Sequence, residues 1–257
     1  MKIFVINLEQ EKKRMAILAK RLANLNIEYE RFVGVCGKDL SNRERDAFVN
    51  HFRWWCAVGR QPTFGEIGCG LSHIGIYKRM IHDNIPYACI LEDDVILDDR
   101  FPEILEYGEN YMAEDIPQVM LLSNHSKDIG KYGDRHTGFF SNTSEEEIKI
   151  LEASGDFCAE GYFINKLAAN NLLQANFPMI TPCDWWGRWR RQGIIKLYHV
   201  FPSVARQNKE SFMSNTNPGI IQPIQNMGLI ANLIHKFKRL IGIILDRIIG
   251  TVMLLIK

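Results

Sequence analysis

Short apolar runs alternate with amphipathic segments along this chain up to about residue 201. Residues 3–8 and 87–91 are continuous runs of apolar residues, which is typical of buried strands. Residues 10–25 and 66–82 place apolar side chains at helical spacing. This alternation predicts an α/β fold with a mostly parallel sheet and helices on both faces. In such sheets, ligands bind beyond the carboxyl ends of the strands.

The remaining predicted elements follow the same pattern. Residues 53–63 contain Trp54, Trp55 and Pro62 and are predicted to be irregular. Residues 124–150 are polar and predict a long loop, of the kind that forms functional lids or stays disordered. Further strands are predicted at residues 29–35, 118–123, 157–164 and 195–200, and further helices at 41–52, 101–111, 167–175 and 184–191.

Charge and composition limit the partners of the chain. With 31 Lys+Arg against 30 Asp+Glu, the formal net charge is +1, which argues against a nucleic-acid-binding surface. A hydrophobic content of 46% excludes a disordered chain. Residues 227–257 carry five basic residues and one acid, a net charge of +4, so the rest of the chain carries −3. We therefore expect a mildly acidic body (residues 1–211), a polar linker (212–226) and a basic, apolar tail (227–257).

The tail has the pattern of an amphipathic helix, with apolar residues on one face and polar or basic residues on the other. Its uncharged stretch at 248–256 is far shorter than the roughly 20 residues that span a bilayer. This pattern predicts a helix lying in the headgroup region of an anionic membrane. The alternative is a helix that packs on the body or on another subunit. Because the apolar run at residues 3–6 is too short for a signal peptide, we expect a cytoplasmic protein.

The six cysteines show no C-x-x-C spacing of a zinc or redox motif. Most of them, such as Cys69 and Cys89, have apolar neighbours. We expect buried, reduced thiols, as in other cytosolic proteins.

Three carboxylates, Glu92, Asp93 and Asp94, directly follow the predicted strand at 87–91. Like charges so close together at a strand end repel one another, and a divalent cation such as Mg²⁺ or Mn²⁺ would relieve that cost. Side chains alternate along an extended segment, so Glu92 and Asp94 would face one side and hold the metal or its waters. Asp93 would accept hydrogen bonds from ribose hydroxyls or orient neighbouring groups. The alternative is a set of ordinary loop acids or a helix N-cap.

Several motifs, taken in order, resemble glycosyltransferase family 25, the lipooligosaccharide biosynthesis family of bacteria with collagen-modifying relatives in animals. The resemblance covers roughly residues 1–211. Its most specific parts are the block Gly65–His73 and the acidic triplet together. The matching segments are Val5-Ile6-Asn7-Leu8 with Arg14, Gly65–His73, Ile90–Val95, Gly161–Ile164, and Pro202-Ser203-Val204 with Gln207 and Ser211.

The resemblance implies a GT-A-like, Rossmann-like glycosyltransferase domain at residues 1–211. It implies a UDP-sugar donor bound through Mn²⁺ or Mg²⁺ at the acidic motif. It also implies inverting transfer of galactose or glucose, with a β-galactosyltransferase expected, to a sugar acceptor on lipooligosaccharide or lipopolysaccharide. Such an acceptor would place the protein peripherally on the inner face of the cytoplasmic membrane. Many GT-A enzymes have Asp where this chain has Glu92, so direct contact of Glu92 with the metal stays open, and Asp94 is the expected direct ligand.

Inversion needs a base that takes the proton of the acceptor hydroxyl. Asp184, which precedes Trp185 and Trp186, ranks first, because low polarity raises the pKa of a carboxyl group and aromatic faces stack on sugar rings. Glu160 ranks second. The alternatives are an N-cap role for Asp184 and a surface position for Glu160.

Further residues are expected to complete the site, each with a simple packing, turn or surface role as its alternative. Asn7 would contact the uracil or ribose, and Ser72 and His73 would contact the nucleotide or its phosphates. Arg14 and Lys78 would bind the diphosphate. His199 would complete the metal shell.

Two other functions compete with glycosyl transfer. A Mg²⁺-dependent phosphohydrolase would use the same triplet and add carboxylates at other strand ends. A non-catalytic, membrane-associated interaction protein would tolerate loss of Asp94. Neither explains the glycine-rich helix start at Gly65–His73.

Overall fold

A computed structural model describes residues 1–123, 136–139, 148–153, 159–208 and Phe237. Eight of the described strands form one sheet, in the spatial order β2-β1-β3-β8-β5-β9-β7-β6. These strands are β1 (Lys2–Asn7), β2 (Glu30–Val33), β3 (Tyr87–Glu92), β5 (Gln118–Leu121), β6 (His136–Phe139), β7 (Lys149–Glu152), β8 (Gly161–Asn165) and β9 (Lys196–Phe201). A separate antiparallel pair joins β4 (Val95–Leu97) to β10 (Ala205–Gln207).

Six of the eight strands of this sheet run in one direction, as the alternation of strands and helices predicts, although four of its seven pairings are antiparallel. Strand β1 runs parallel to β2 and β3, and β5 runs parallel to β9. Strand β8 runs antiparallel to both of its neighbours, β3 and β5, and β7 runs antiparallel to β9 and β6. The sequence does not indicate these reversals, because an apolar run specifies a strand but not its direction.

Helices cover both faces of the sheet, which confirms the predicted architecture. Alternate residues of β3 point to opposite faces: Cys89 and Leu91 pack with α1 and α5, and Ala88 and Ile90 pack with α4, α6 and α7. The helices are α1 (Lys12–Asn24), α2 (Asn42–Phe48), α3 (His51–Val58), α4 (Phe64–His82), α5 (Phe101–Tyr111), α6 (Lys166–Asn176) and α7 (Trp186–Arg191).

The prediction of an irregular segment at residues 53–63 is wrong over its first half, because α3 occupies it. The side chain of Asn50 caps this helix by accepting a hydrogen bond from the Arg53 amide at 3.0 Å. Gly59, with φ of 82°, ends it. Trp54 is fully buried on α3, so the aromatic pair is part of a packed helix.

Several predicted segments lie outside the described residues. They are the linker 212–226, the tail 227–257 apart from Phe237, and most of the excursion 124–150, in which β6 and β7 are described. Among the described helices, none combines the length and apolar character that crossing a bilayer requires.

Candidate active site

The acidic triplet lies at the carboxyl end of β3. Ile6 of β1 pairs with Glu92 in register, so the ends of β1 and β3 meet at one edge of the sheet. Asp93 and Asp94 form the turn from β3 into β4. The triplet therefore lies where ligands bind in sheets of this kind.

An open cleft of about 200 Å³ lies against the triplet. Its walls are the first turns of α4, residues 35–38 after β2, and the side chains of Arg14 and Gln207. Thr63 is the N-cap of helix α4 and forms a capping box with Glu66. Paired hydrogen bonds between side chains and backbone therefore fix the start of this helix.

Two glycines let the loop after β2 pack directly on α4. A Cβ atom on Gly68 would lie 2.4 Å from the Val35 carbonyl oxygen, and one on Gly37 would lie 1.9 Å from the Phe64 carbonyl oxygen. The Ser72 hydroxyl accepts a hydrogen bond from the Val35 amide at 2.8 Å and donates to the Gly68 carbonyl at 2.7 Å. Ser72 lines the cleft, and its hydroxyl holds the loop that forms one wall.

Glu92 is held by α4 as well as by its strand. Its Oε1 lies 3.1 Å from His73 Nε2 and accepts a hydrogen bond from Cys69 Sγ at 3.5 Å. Burial acts to raise the pKa of Glu92, but the hydrogen bond and charge of His73 outweigh it, so this pKa is below its ordinary value. Burial acts to lower the pKa of His73, and its contacts with Cys69 and Glu92 instead raise it. His73 is 1% exposed, and its Nδ1 lies 2.7 Å from the Tyr162 hydroxyl, so it supports the triplet from behind.

Asp93 is oriented by two predicted site residues. Asn7 Nδ2 donates to Asp93 Oδ2 at 2.6 Å, and Arg14 Nη1 lies 3.4 Å from Asp93 Oδ1. Asn7 is 1% exposed, and its Oδ1 accepts from Arg31 Nε at 2.9 Å. Burial raises the pKa of Asp93 despite the hydrogen bond from Asn7 and the charge of Arg14. The structure thus places Asn7 behind Asp93, while Arg14 lines the cleft.

Asp94 has one satisfied and one unsatisfied oxygen. Its Oδ2 accepts from Gln207 Nε2 at 3.0 Å. Its Oδ1 is buried and has no hydrogen-bond partner among the described residues. Burial and the charge of Glu92 raise the pKa of Asp94 to about 6. A buried oxygen without a partner is costly, and a hard cation such as Mn²⁺ or Mg²⁺ would satisfy it, so the residues present fit a divalent metal.

Gln207 is a site residue that sequence reasoning missed. It lies on β10, which pairs with β4, so the second sheet brings its amide to Asp94. The signal was its place in the family motif with Pro202-Ser203-Val204, since nothing in its local pattern indicates a contact with a residue 113 positions away.

Both predicted bases lie near the triplet. Asp184 is half-buried, and burial and the charge of Glu92 raise its pKa to about 6. It does not cap α7, because the N-cap is Trp185 and no side chain caps that helix. Glu160 is 3% exposed, so it is not a surface acid, and its carbonyl oxygen accepts a hydrogen bond from the Glu92 amide at 2.9 Å.

Two predicted site residues are not brought to the triplet. Lys78 is exposed on α4 and does not line the cleft; its Nζ lies 4.2 Å from the centroid of the Phe177 ring. His199 pairs with Leu121 of β5, and both β5 and β8 lie between β9 and β3. At about 4.8 Å per strand, β9 is about 14 Å from β3, and His199 does not line the cleft that contains Asp94. The sequence gives the strand that holds His199 but not the order of the strands.

The structure also brings Cys183 to α4. Its Sγ lies 3.4 Å from Cys69 Sγ, although the two residues are 114 positions apart. The five described cysteines are all free thiols, as expected, but of these Cys89 alone is fully buried.

Comparison with known proteins identifies one protein family for this chain. The model of the family described as Glycosyltransferase family 25 (LPS biosynthesis protein) matches residues 1–186. A Drosophila melanogaster protein named "Glycosyltransferase 25 family member" is 32% identical over 195 residues, covering 71% of this chain and 29% of the relative. A Haemophilus influenzae protein named "Putative glycosyltransferase" is 29% identical over 125 residues, covering 47% of this chain and 41% of the relative. Human "Procollagen galactosyltransferase 2" is 26% identical over 188 residues, covering 71% of this chain and 29% of the relative.

These matches span less than half of each relative's own length. A solved structure titled "Crystal Structure of A197 from STIV" aligns with 77% of this chain and 81% of its own, at 13% identity and a TM-score of 0.38, a likeness too weak to carry an argument. The family match, in contrast, covers most of the body that contains the cleft. The chain belongs to glycosyltransferase family 25.

Proposed function

We propose that this protein is a metal-dependent, inverting glycosyltransferase that moves galactose or glucose from a UDP-sugar to a sugar acceptor on lipooligosaccharide or lipopolysaccharide. The observation that carries this proposal is the buried Oδ1 of Asp94 beside the cleft, which has no hydrogen-bond partner within the described part of the chain. Family membership supports glycosyl transfer, and the name of the human relative supports galactose as the donor sugar.

Asp94 would hold Mn²⁺ or Mg²⁺ directly, and Glu92 would add negative charge from the same side of the cleft. When bound, the metal would neutralise the diphosphate leaving group as a Lewis acid. Arg14 lines the same cleft and would add positive charge near the diphosphate. Asp93, oriented by Asn7 and Arg14, would accept hydrogen bonds from the ribose hydroxyls.

Asp184 would act as the base. Its raised pKa of about 6 makes it a better proton acceptor than an exposed carboxylate, while leaving it mostly ionised at neutral pH. It would take the proton of the acceptor hydroxyl as that oxygen attacks the anomeric carbon. Glu160 is the second candidate, because its backbone adjoins Glu92.

The tail, residues 227–257, would hold the enzyme on the inner face of the cytoplasmic membrane. Its net charge of +4 and its apolar face support this proposal. A surface-bound enzyme would find a glycolipid acceptor by a search in two dimensions.

The competing phosphohydrolase needs further carboxylates at this edge of the sheet. The residues after β5 and β9 are Leu122-Ser123 and Pro202-Ser203, so these two described strand ends add none, whereas Glu160 precedes β8 at the same edge as Glu92. Membership of glycosyltransferase family 25 is therefore what favours glycosyl transfer over phosphate hydrolysis.

The test is Mn²⁺-dependent turnover of a panel of UDP-sugars by wild type, Asp94→Asn and Asp99→Asn. Asp99 is a matched control, because it is an aspartate whose side chain is 88% exposed and is paired with Arg21. We expect turnover of one UDP-hexose, a loss of about 100-fold or more in Asp94→Asn, and no loss in Asp99→Asn. A wild-type protein that neither binds nor turns over any UDP-sugar would refute the proposal, as would equal activity in the two variants.

A further inference from the structure

Three potential metal ligands meet beside Glu92, the first residue of the triplet. The Sγ atoms of Cys69 and Cys183 and a ring nitrogen of His73 all lie within 4.8 Å of one another. Glu92 joins them, because its Oε1 lies 3.5 Å from Cys69 Sγ and 3.1 Å from His73 Nε2. These contacts join four potential ligand atoms in one cluster.

Three of the distances between these atoms are close to those of a tetrahedral zinc site. Zn–S bonds of about 2.3 Å and Zn–N or Zn–O bonds of about 2.0–2.1 Å place neighbouring ligands about 3.3–3.8 Å apart. The two Sγ atoms are 3.4 Å apart, and the contacts of Glu92 Oε1 with Cys69 and His73 are 3.5 and 3.1 Å. Thiolates and imidazole favour zinc over the hard cations Mg²⁺ and Mn²⁺.

The surroundings of His73 are those of a metal ligand. Its Nε2 faces the cluster, and its Nδ1 is hydrogen-bonded to the Tyr162 hydroxyl at 2.7 Å. That hydroxyl lies 2.8 Å from the hydroxyl of Tyr77. Such a second hydrogen bond orients the ring and fixes the tautomer of a ligating histidine.

We propose that Cys69, His73, Cys183 and Glu92 bind one Zn²⁺ ion in a closed, structural site. Binding releases the protons of the two thiols and the Nε2 proton of His73 to solvent and changes no oxidation state. The site differs from the cleft metal site of Asp94 in its ligands and in the metal that it prefers. It joins α4, the end of β3 and the turn that carries Asp184, so it would fix the predicted base relative to the triplet.

The test uses the purified full-length chain, reduced and then dialysed after addition of Zn²⁺ or Co²⁺. We expect one equivalent of zinc per chain in wild type and in the control Cys56→Ser, whose half-buried cysteine lies on α3. We expect at least a tenfold loss of retained zinc in Cys69→Ser and Cys183→Ser. With Co²⁺, we expect thiolate-to-cobalt absorption bands in wild type and Cys56→Ser, and their loss or weakening in Cys69→Ser and Cys183→Ser. Circular dichroism checks that each variant is folded.

Alkylation followed by mass spectrometry tests the site without any variant. We expect Zn²⁺ to protect Cys69 and Cys183 from alkylation and to leave Cys56 as reactive as before. Wild type that retains no zinc, equal retention in all variants, or isolation of a Cys69–Cys183 disulfide in place of a zinc complex would overturn the proposal. None of these readouts requires sugar transfer, so failure here is distinguishable from failure of the proposed function.

Discussion

The packing of the loop after β2 on α4 makes Gly68→Ala a sharp test of the cleft geometry. The added Cβ would lie 2.4 Å from the Val35 carbonyl oxygen and 2.7 Å from the Gly37 amide nitrogen. Both are backbone atoms, so the whole loop must move. Overpacking of this kind costs about 1–3 kcal/mol.

Gly70→Ala is the matched control on the same helix. Its Cβ would lie 2.5 Å from Met179 Sδ, an atom of a flexible side chain that can adapt. Both substitutions gain about 1 kcal/mol of helix propensity, which cancels in the comparison. We therefore expect Gly68→Ala to be less stable than Gly70→Ala by about 1–3 kcal/mol.

Urea unfolding of the two variants measures this difference as a difference in the free energy of unfolding. UDP binding by calorimetry should weaken in Gly68→Ala alone, because the displaced loop is a wall of the cleft. If Gly68→Ala is as stable as Gly70→Ala, the close approach of loop and helix described above is wrong.

Three further predictions concern the start of α4, the base and the tail. Burial acts to raise the pKa of Glu66, but hydrogen bonds from Arg60 and Thr63 outweigh it and hold this pKa below its ordinary value, so the stabilisation is present above the ordinary pKa and is lost as the pH falls through the lowered one. Glu66→Gln should cost about 1 kcal/mol in the free energy of unfolding at pH 7 and flatten its fall at acidic pH; an unchanged pH profile would contradict this. The transfer rate should fall as the pH drops below about 6, where Asp184 becomes protonated, and Asp184→Asn should remove that limb of the pH–rate profile. Deletion of residues 227–257 should abolish flotation with anionic liposomes, and equal recovery of both forms in the soluble fraction would refute membrane association.

The sequence predicts the parts of the site that follow from local pattern. The apolar run before Glu92 indicates a buried strand, and the carboxylates after it then lie at the ligand-binding edge. The glycines of α4 predict a close approach, and the structure shows that the loop after β2 makes it. The helix at Trp54 was missed, although Asn50 and Gly59 are ordinary start and stop residues.

The rest of the site depends on contacts that periodicity does not encode. Strand order decides that His199 lies far from β3 and that Glu160 lies beside it. The meeting of Cys69 with Cys183 depends on how α4 docks beside the turn before α7, and spacing rules for zinc motifs detect only ligands that are close in sequence.

Strand β8 has a consequence for the order in which the chain acquires its sheet during synthesis. It is the neighbour that joins β3 to β5, pairing with five residues of β3 and three of β5. A nascent chain that ends before Gly161 therefore leaves the β8-facing edges of both strands open, and the edge of β3 is strongly apolar. Open apolar edges recruit strands from other chains. Fragments that stop short of residue 161 should aggregate, and addition of this short strand is the step that joins β5 to the sheet of β2, β1 and β3.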